Sequence, residues 1–244
     1  MSLPVFLAPS LSAAVGERLE LAGDEARHAV VVRRIRVGEH IVLTDGRGVS
    51  AECSVESVTK SALSGRVLAV ESVPAPSPRV VVVQALPKGD RGELAVEMLT
   101  EVGADVIVPW AAARSVAVWR GERAAKSLAR WRSTAREAAK LSRRSWFPEV
   151  TEMTGTSGVV GLLRDAGLGV VLHEEATAPI GSLEMPTEGD IMVVVGPEGG
   201  ISDEELAAFV EVAGPVRLGP TVLRTSTAGV AAVAALLSRT PRWS

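Results

Sequence analysis

The chain has one cysteine, Cys53, and three histidines, His28, His40 and His173, scattered through 244 residues. A lone thiol excludes a disulfide framework and a cysteine-based zinc site, and it fits a reducing compartment such as the cytoplasm. Histidines without ligand spacing give no reason to expect a metal. Long apolar runs are missing too. The longest, Gly229 to Leu237, falls well short of the roughly 20 residues a membrane span takes. The opening MSLPVFLAPSLSAAVGE lacks the basic start and apolar stretch of a secretory signal. The expectation is a cytoplasmic protein with no metal and no membrane partner.

Hydrophobic residues make up 47% of the chain and charged residues 23%, so a packed core is affordable and global disorder is not expected. The clearest boundary is Ser72-Val-Pro-Ala-Pro-Ser-Pro78, whose three prolines favour an extended connector. Before it, Arg18–Leu21, Glu39–Thr44, Val49–Val58 and Leu63–Val70 read as strands, with a turn at Asp45-Gly46 and one short helix from Asp24 that carries His28 to Arg34. Short strands around one helix suggest a small barrel, which is as often a structural appendage as an RNA-binding module. After the connector, strands and helices alternate, which favours a parallel α/β sheet. Val80–Ala85, Val106–Pro109, Gly169–Leu172, Ile191–Val195 and Val216–Leu218 read as strands. Gly92–Gly103, Glu122–Arg143, Ser202–Ala213 and Ser226–Ser238 read as helices.

The formal charge of −3 hides an asymmetry. Arg114, Arg120, Arg123, Lys126, Arg130, Arg132, Arg136, Lys140, Arg143 and Arg144 face only Glu122 and Glu137, so this stretch carries +8 and the rest of the chain −11. On a helical wheel Ala124, Leu128, Trp131, Ala135 and Ala138 form a narrow apolar stripe, with the cations over much of the remainder. Charge of one sign repels itself unless an anion neutralises it. A phosphate backbone is the natural partner, against the plainer reading of a solvated face.

Glycine-rich turns follow the buried strands. Val195 leads into Gly196-Pro197-Glu198-Gly199-Gly200, and Ser202 with Glu205 has capping-box spacing for the next helix. Glycine at the carboxyl end of a parallel strand lets backbone approach a ligand. The pattern is neither G-x-G-x-x-G nor a P-loop. A second loop, Arg217 to Gly229, places Arg224 just before the last helix, which Ser226 or Thr227 can cap. A cation is not what a helix N-terminus prefers, which points to a functional arginine. A third strand end, Val171-Leu-His-Glu-Glu175, completes a set of loops that could share one rim.

Val195-Gly-Pro-Glu-Gly-Gly200, followed by Leu218-Gly-x-x-Val-Leu-Arg-Thr225, resembles the signature of the RsmE-type ribosomal RNA uridine-N3 methyltransferases of the SPOUT superfamily. His28-x5-Arg34 with Gly38-Glu39, Leu86-Pro-Lys-Gly-Asp90, Thr100-Glu-Val-Gly103, and Arg130-Trp131 with Glu137-Ala-Ala139 and Arg144 agree with it, in order along nearly the whole chain. The family usually has glutamate where Ser226 stands, lysine at Met98, glutamine at Leu141 and leucine at Arg33; Ser226 leaves that loop without a carboxylate.

The resemblance implies an α/β fold: a PUA-like β-barrel over residues 1–73 followed by a SPOUT trefoil-knot methyltransferase domain over residues 79–244, working as a homodimer. It implies that S-adenosylmethionine is held by Leu172, His173 and Glu174, by Gly196, Pro197, Glu198, Gly199 and Gly200, and by Leu218, Gly219, Val222, Leu223, Arg224, Thr225 and Ser226. The substrate is then a uridine N3 of 16S ribosomal RNA in the small subunit, a base that must be unpaired or turned outward. Arg224 is the candidate to stabilise charge on a uracil oxygen. Glu198 is a candidate base by position. Arg34, Arg36, Lys88, Arg114, Arg136, Arg143 and Arg144 are the expected RNA contacts. Other readings stay open: methylation of another RNA position such as a tRNA ribose 2′-hydroxyl, a non-catalytic RNA-binding assembly factor, or, against the charge of the helix, a nucleotide-binding metabolic enzyme.

Overall fold

Strands that alternate and strands that are apolar throughout end up in different sheets. The computed structural model describes residues 3–243, so Met1, Ser2 and Ser244, at the ends of the two expected domains, lie outside the described residues. The chain divides into two units. The first runs up to Ala75 and also takes in Ala139–Phe147; the second holds the remainder.

In the first unit the strands are β1 (Val5–Leu7), β2 (Arg18–Ala22), β3 (His40–Thr44), β4 (Val49–Val58) and β5 (Ala62–Ser72), in the order β1-β3-β4-β5-β2. All pairings are antiparallel except β1 with β3. Register shifts in β4 between Glu52 and Cys53 and between Val55 and Ser57 curl the sheet. Its inner positions, Phe6, Leu21, Ile41, Leu43, Cys53, Val55, Leu63 and Val67, close over Ala26 and Ala29 as one core. The Asp45-Gly46 turn forms as expected, with Asp45 Oδ1 accepting from Arg47 N at 2.7 Å and Val49 N at 3.0 Å. Three-residue β1 carries no readable period and was not expected.

The single helix expected from Asp24 to Arg34 is instead two pieces. α1 spans Gly23–Arg27, a π turn covers His28–Val32, and the chain turns at Arg34 with φ +57°. Lys140 joins this unit: its Nζ lies 2.9 Å from Glu25 Oε1, while Glu25 Oε2 accepts from Leu7 N at 3.1 Å. Trp146 Nε1 donates to Val73 O at 2.9 Å.

The second unit is a six-stranded, all-parallel sheet. Its elements are β6 (Val80–Ala85), α2 (Arg91–Val102), β7 (Val106–Trp110), α3 (Gly121–Leu141), β8 (Glu149–Val150), α4 (Thr156–Asp165), β9 (Leu168–Leu172), β10 (Ile191–Val195), α5 (Asp203–Val210), β11 (Gly214–Val216) and α6 (Thr225–Leu237), with strand order β11-β9-β10-β6-β7-β8. Every residue of β6 and β10 is buried because both faces are covered. Val80, Val82, Ile107, Val193 and Val195 pack with Leu99, Leu128, Trp131, Val233 and Leu236 on one side. Val81, Val83, Val108, Met192 and Val194 pack with Val159, Leu163 and Phe209 on the other.

Two-residue β8 and the whole of α4 were not expected, and β11 ends at Val216 rather than starting there. Arg217 goes on to an isolated bridge with Pro179. The C-terminal segment is held by Arg242, which donates to Asp105 Oδ2 at 2.6 Å, Asp105 Oδ1 at 3.2 Å, Pro78 O at 3.0 Å and Gly103 O at 3.1 Å. Asp105 Oδ2 also accepts from Val80 N at 2.8 Å.

Candidate active site

A parallel sheet delivers all its strand ends to one rim. Here Val216 pairs with Leu172, Val194 with Val171, and Val195 with Gln84, so the loops leaving β11, β9, β10 and β6 are lateral neighbours. The three turns singled out in the sequence are therefore brought together. The β9 loop joins the β11 exit through His173 N to Val216 O at 3.0 Å and Arg217 N to Ala178 O at 2.9 Å. Leu172 and His173 are half-buried there and Glu174 is exposed. The β10 turn and the α6 loop meet at Thr225, whose hydroxyl donates to Gly196 O at 2.8 Å and accepts from Gln84 Nε2 at 3.1 Å.

The glycines of the β10 turn serve the chain's own packing. A β-carbon at Gly196 would meet Ile201 Cγ1 at 2.9 Å, and one at Gly199 would meet Arg114 O at 3.0 Å. Gly200 has φ +75°, a conformation that suits glycine, and its N–H closes the turn on Pro197 O at 2.9 Å. Gly219, in the α6 loop, is the one that faces open space. Around it Leu218 is half-buried and Val222, Leu223 and Arg224 are exposed.

The start of α6 corrects the capping expectation. Arg224 is itself the N-cap, in extended backbone with φ −66° and ψ 150°, and no side chain caps the helix. Ser226 lies buried within the first turn, and Thr227 Oγ1 turns back to Arg224 O at 3.2 Å. The nearby Thr225 hydroxyl is already spent on Gly196. The uncapped amides and the Arg224 guanidinium together make this corner electropositive.

Glu198 is occupied: its Oε1 accepts from Lys88 N at 3.2 Å and from Arg91 Nη1 at 3.5 Å, tying the β10 turn to the loop after β6. Two further residues have roles beyond those read from the sequence. Glu205 forms the expected capping box with Ser202, and its Oε1 also takes Ala113 N at 2.8 Å and Thr156 Oγ1 at 3.0 Å. That second role joins segments 92 and 49 residues away, which no local pattern can signal. Gln84 had a signal, as the only polar residue in an apolar strand. It is fully buried, and its Oε1 has no hydrogen-bond partner among the described residues. Its amide orientation is set by Nε2 donating to Ala85 O at 3.1 Å and to Thr225.

The expected RNA contacts fall in both units. Lys88, Arg114 and Arg136 belong to the second, with Arg114 Nη1 on Ile201 O at 3.2 Å against the glycine turn. Arg34, Arg36, Arg143 and Arg144 belong to the first. The positive stretch is less bare than its sequence implies. Arg130 pairs with Glu93 at 3.2 Å, Arg132 with Glu152 at 2.9 Å, Lys126 with Glu122 at 3.8 Å, and Lys140 with Glu25. Carboxylates distant in sequence thus supply part of the neutralisation that was expected of a polyanion alone. Leu141 is 68% exposed, and Met98 lies on α2.

Among the described residues no three His, Cys, Asp or Glu side chains gather as metal ligands, and no helix is long and apolar enough to cross a membrane. His40 pairs with Glu52 at 2.9 Å and His28 packs edge-on to Phe6. Burial pushes the Cys53 thiol up to about 11, with a smaller push from Glu52.

The RNA methyltransferase domain profile matches residues 74–237 and the RNA methyltransferase PUA domain profile matches residues 21–68. The ribosomal RNA small subunit methyltransferase E of Mycobacterium tuberculosis is 51% identical over 226 residues, covering 91% of this chain and 86% of that protein. The Bacillus subtilis protein of the same name is 32% identical over 231 residues, covering 90% of each. The crystal structure of ribosomal RNA small subunit methyltransferase E from Neisseria gonorrhoeae, bound to S-adenosyl methionine, matches with a TM-score of 0.86 at 28% identity over 98% of both chains. A Legionella pneumophila methyltransferase in complex with the same cofactor gives the same TM-score, identity and coverage.

Proposed function

The chain belongs to the ribosomal RNA small subunit methyltransferase E family, a SPOUT α/β domain behind a PUA-like barrel, and we propose that it methylates N3 of a uridine in 16S ribosomal RNA with S-adenosylmethionine. The observation that carries this reading is the Gln84–Thr225–Gly196 hydrogen-bond chain, which binds the β6 end, the β10 turn and the start of α6 into one rim.

The residues present fit the cofactor. Gly219 opens on free space, Gln84 keeps a buried acceptor that is unpaired among the described residues beside the rim, and the turns expose backbone amides and carbonyls. Leu172, His173, Glu174, the Gly196–Gly200 turn and the Leu218–Ser226 loop are proposed to hold it. Bound there, S-adenosylmethionine supplies a methyl group on a sulfonium. Arg224, exposed at an uncapped helix start, is proposed to stabilise the negative charge that grows on a uracil oxygen as N3 loses its proton. Glu198, already accepting from Lys88 and Arg91, is better suited to holding the β10 turn than to taking that proton, and we assign it to positioning.

The reading extends to a trefoil-knotted chain, a homodimer and a cytoplasmic location, all resting on the family resemblance. Light scattering on the purified protein checks the dimer. The deciding experiment is nucleoside analysis of ribosomal RNA from cells with and without the gene. Loss of 3-methyluridine is expected; an unchanged 3-methyluridine content with loss of a different methylated nucleoside would move the assignment to another position.

A further inference from the structure

The end of α3 holds a feature that methyl transfer does not use. Arg143 is left-handed, φ +54°, at the first position past the helix cap. Its N–H bonds to Lys140 O at 3.3 Å, and Arg144 N–H bonds to Ala139 O at 3.0 Å. This is the pair of bonds with which glycine commonly ends a helix, and a β-carbon at that position crowds the backbone. The helix dipole does not require the strain, because Arg144 next door supplies a cation in relaxed backbone. The Arg143 side chain is exposed and has no hydrogen-bond or ion-pair partner among the described residues. Beside it, within the barrel unit, is a cleft of about 350 Å³ lined by apolar Leu3, Val5 and Val42 and by Glu71, Arg143 and Arg144.

The geometry points to a single-nucleotide subsite: the cleft takes one unpaired nucleotide of the substrate RNA, distinct from the methylated one. The inference rests on the RNA-methyltransferase reading above. An unpaired nucleotide presents a flat apolar base next to an anionic phosphate, and the cleft presents an aliphatic wall next to guanidiniums. Its volume sits at the low end of small-ligand sites, which suits one nucleotide and no duplex. Glu71 offers an acceptor to a base N–H, and the Arg143 and Arg144 guanidiniums at the cleft supply the attractive charge.

The test is Arg143→Gly in the full chain, binding a transcript of 16S ribosomal RNA. Glycine relieves the left-handed strain, so the melting temperature should rise by about 2–4 °C. RNA affinity should fall about tenfold and the salt slope by about 0.7, the signature of one lost phosphate contact on a single strand. Val42→Phe fills the cleft without changing charge and should weaken binding with the slope unchanged, its melting curve confirming that it folds. An Arg143→Gly protein that is more stable and binds RNA like the parent would make Arg143 a helix terminator only and overturn the subsite. A lower melting temperature would overturn the strain argument with it. If the parent chain itself does not bind the transcript, the RNA reading falls first, and the subsite with it; parent binding with both variants unaffected removes the subsite alone.

Discussion

The two units turn their backbones left-handed with different residues. In the parallel-sheet unit the described residues with positive φ are all glycines, Gly89, Gly103, Gly121, Gly189 and Gly200. In the barrel unit Gly16, Gly23, Gly38, Gly46 and Gly48 share the task with Arg34 and Arg143. Some of these glycines also let chain approach chain, as at Gly189, where a β-carbon would meet Gly167 Cα at 3.0 Å. Arginine is tolerated in a strained position, at a cost of about 1 kcal/mol each, where a surface keeps a cation at a helix end. Strain that is not relieved by an available glycine is a pointer to a surface under a second demand.

The largest effect is expected in the parallel-sheet unit, from Arg242→Ala. Its removal takes the paired cation from the largely buried Asp105 carboxylate, which keeps its bond from Val80 N, and should cost about 3–5 kcal/mol in denaturant unfolding. A loss below 1 kcal/mol would show that the C-terminal segment is decoration. In the barrel unit Lys140→Met leaves Glu25 with one backbone donor, and a loss of about 2–3 kcal/mol is expected by the same measurement. Near-neutrality would return Lys140 to the pool of RNA-facing cations.

Thr225→Val removes both bonds of the rim chain and should cost about 1–2 kcal/mol while weakening S-adenosylmethionine binding by calorimetry roughly fivefold to tenfold. Thr225→Ser should restore both. Equal cofactor affinity in all three proteins would separate the hydrogen-bond chain from the cofactor.

The smallest effect is alkaline. Cys53 is neutral when folded because its thiol is pushed from 9.0 to about 11. An acid whose folded value is raised contributes its full stability below the unfolded value and loses it as pH rises through the folded one. Stability should therefore hold to about pH 9 and be about 1 kcal/mol lower at pH 10. No tyrosine is present to titrate in that range. Cys53→Ala should flatten the fall; an unchanged slope would assign it to lysines instead.

The units also differ in how they could be read. The parallel strands were legible because burial on both faces demands apolar runs, and Ile191–Val195 carries one throughout while Val80–Ala85 is interrupted only by Gln84. β3 and β4 were legible by alternation. Elements of two or three residues, β1 and β8, hold less than one informative period, and α4 went unread between an expected helix and an expected strand. The helix expected over Asp24–Arg34 failed because the chain leaves α-helical spacing at His28 and reverses at Arg34.

By itself the sequence determined most of the elements, the strand-end turns and the position of Arg224 before the last helix. These follow from local pattern: periodicity, proline geometry and residue spacing are properties of adjacent residues. Only the tertiary structure decided that Thr225 bonds Gly196 in place of capping, that Glu205 serves two distant segments, that the Gln84 oxygen is unpaired among the described residues, and that Glu25, Glu93 and Glu152 answer a basic stretch far along the chain. Those partners are separated by tens of residues to more than a hundred, and a hydrogen bond or ion pair depends on distance in space, which the order of residues does not specify.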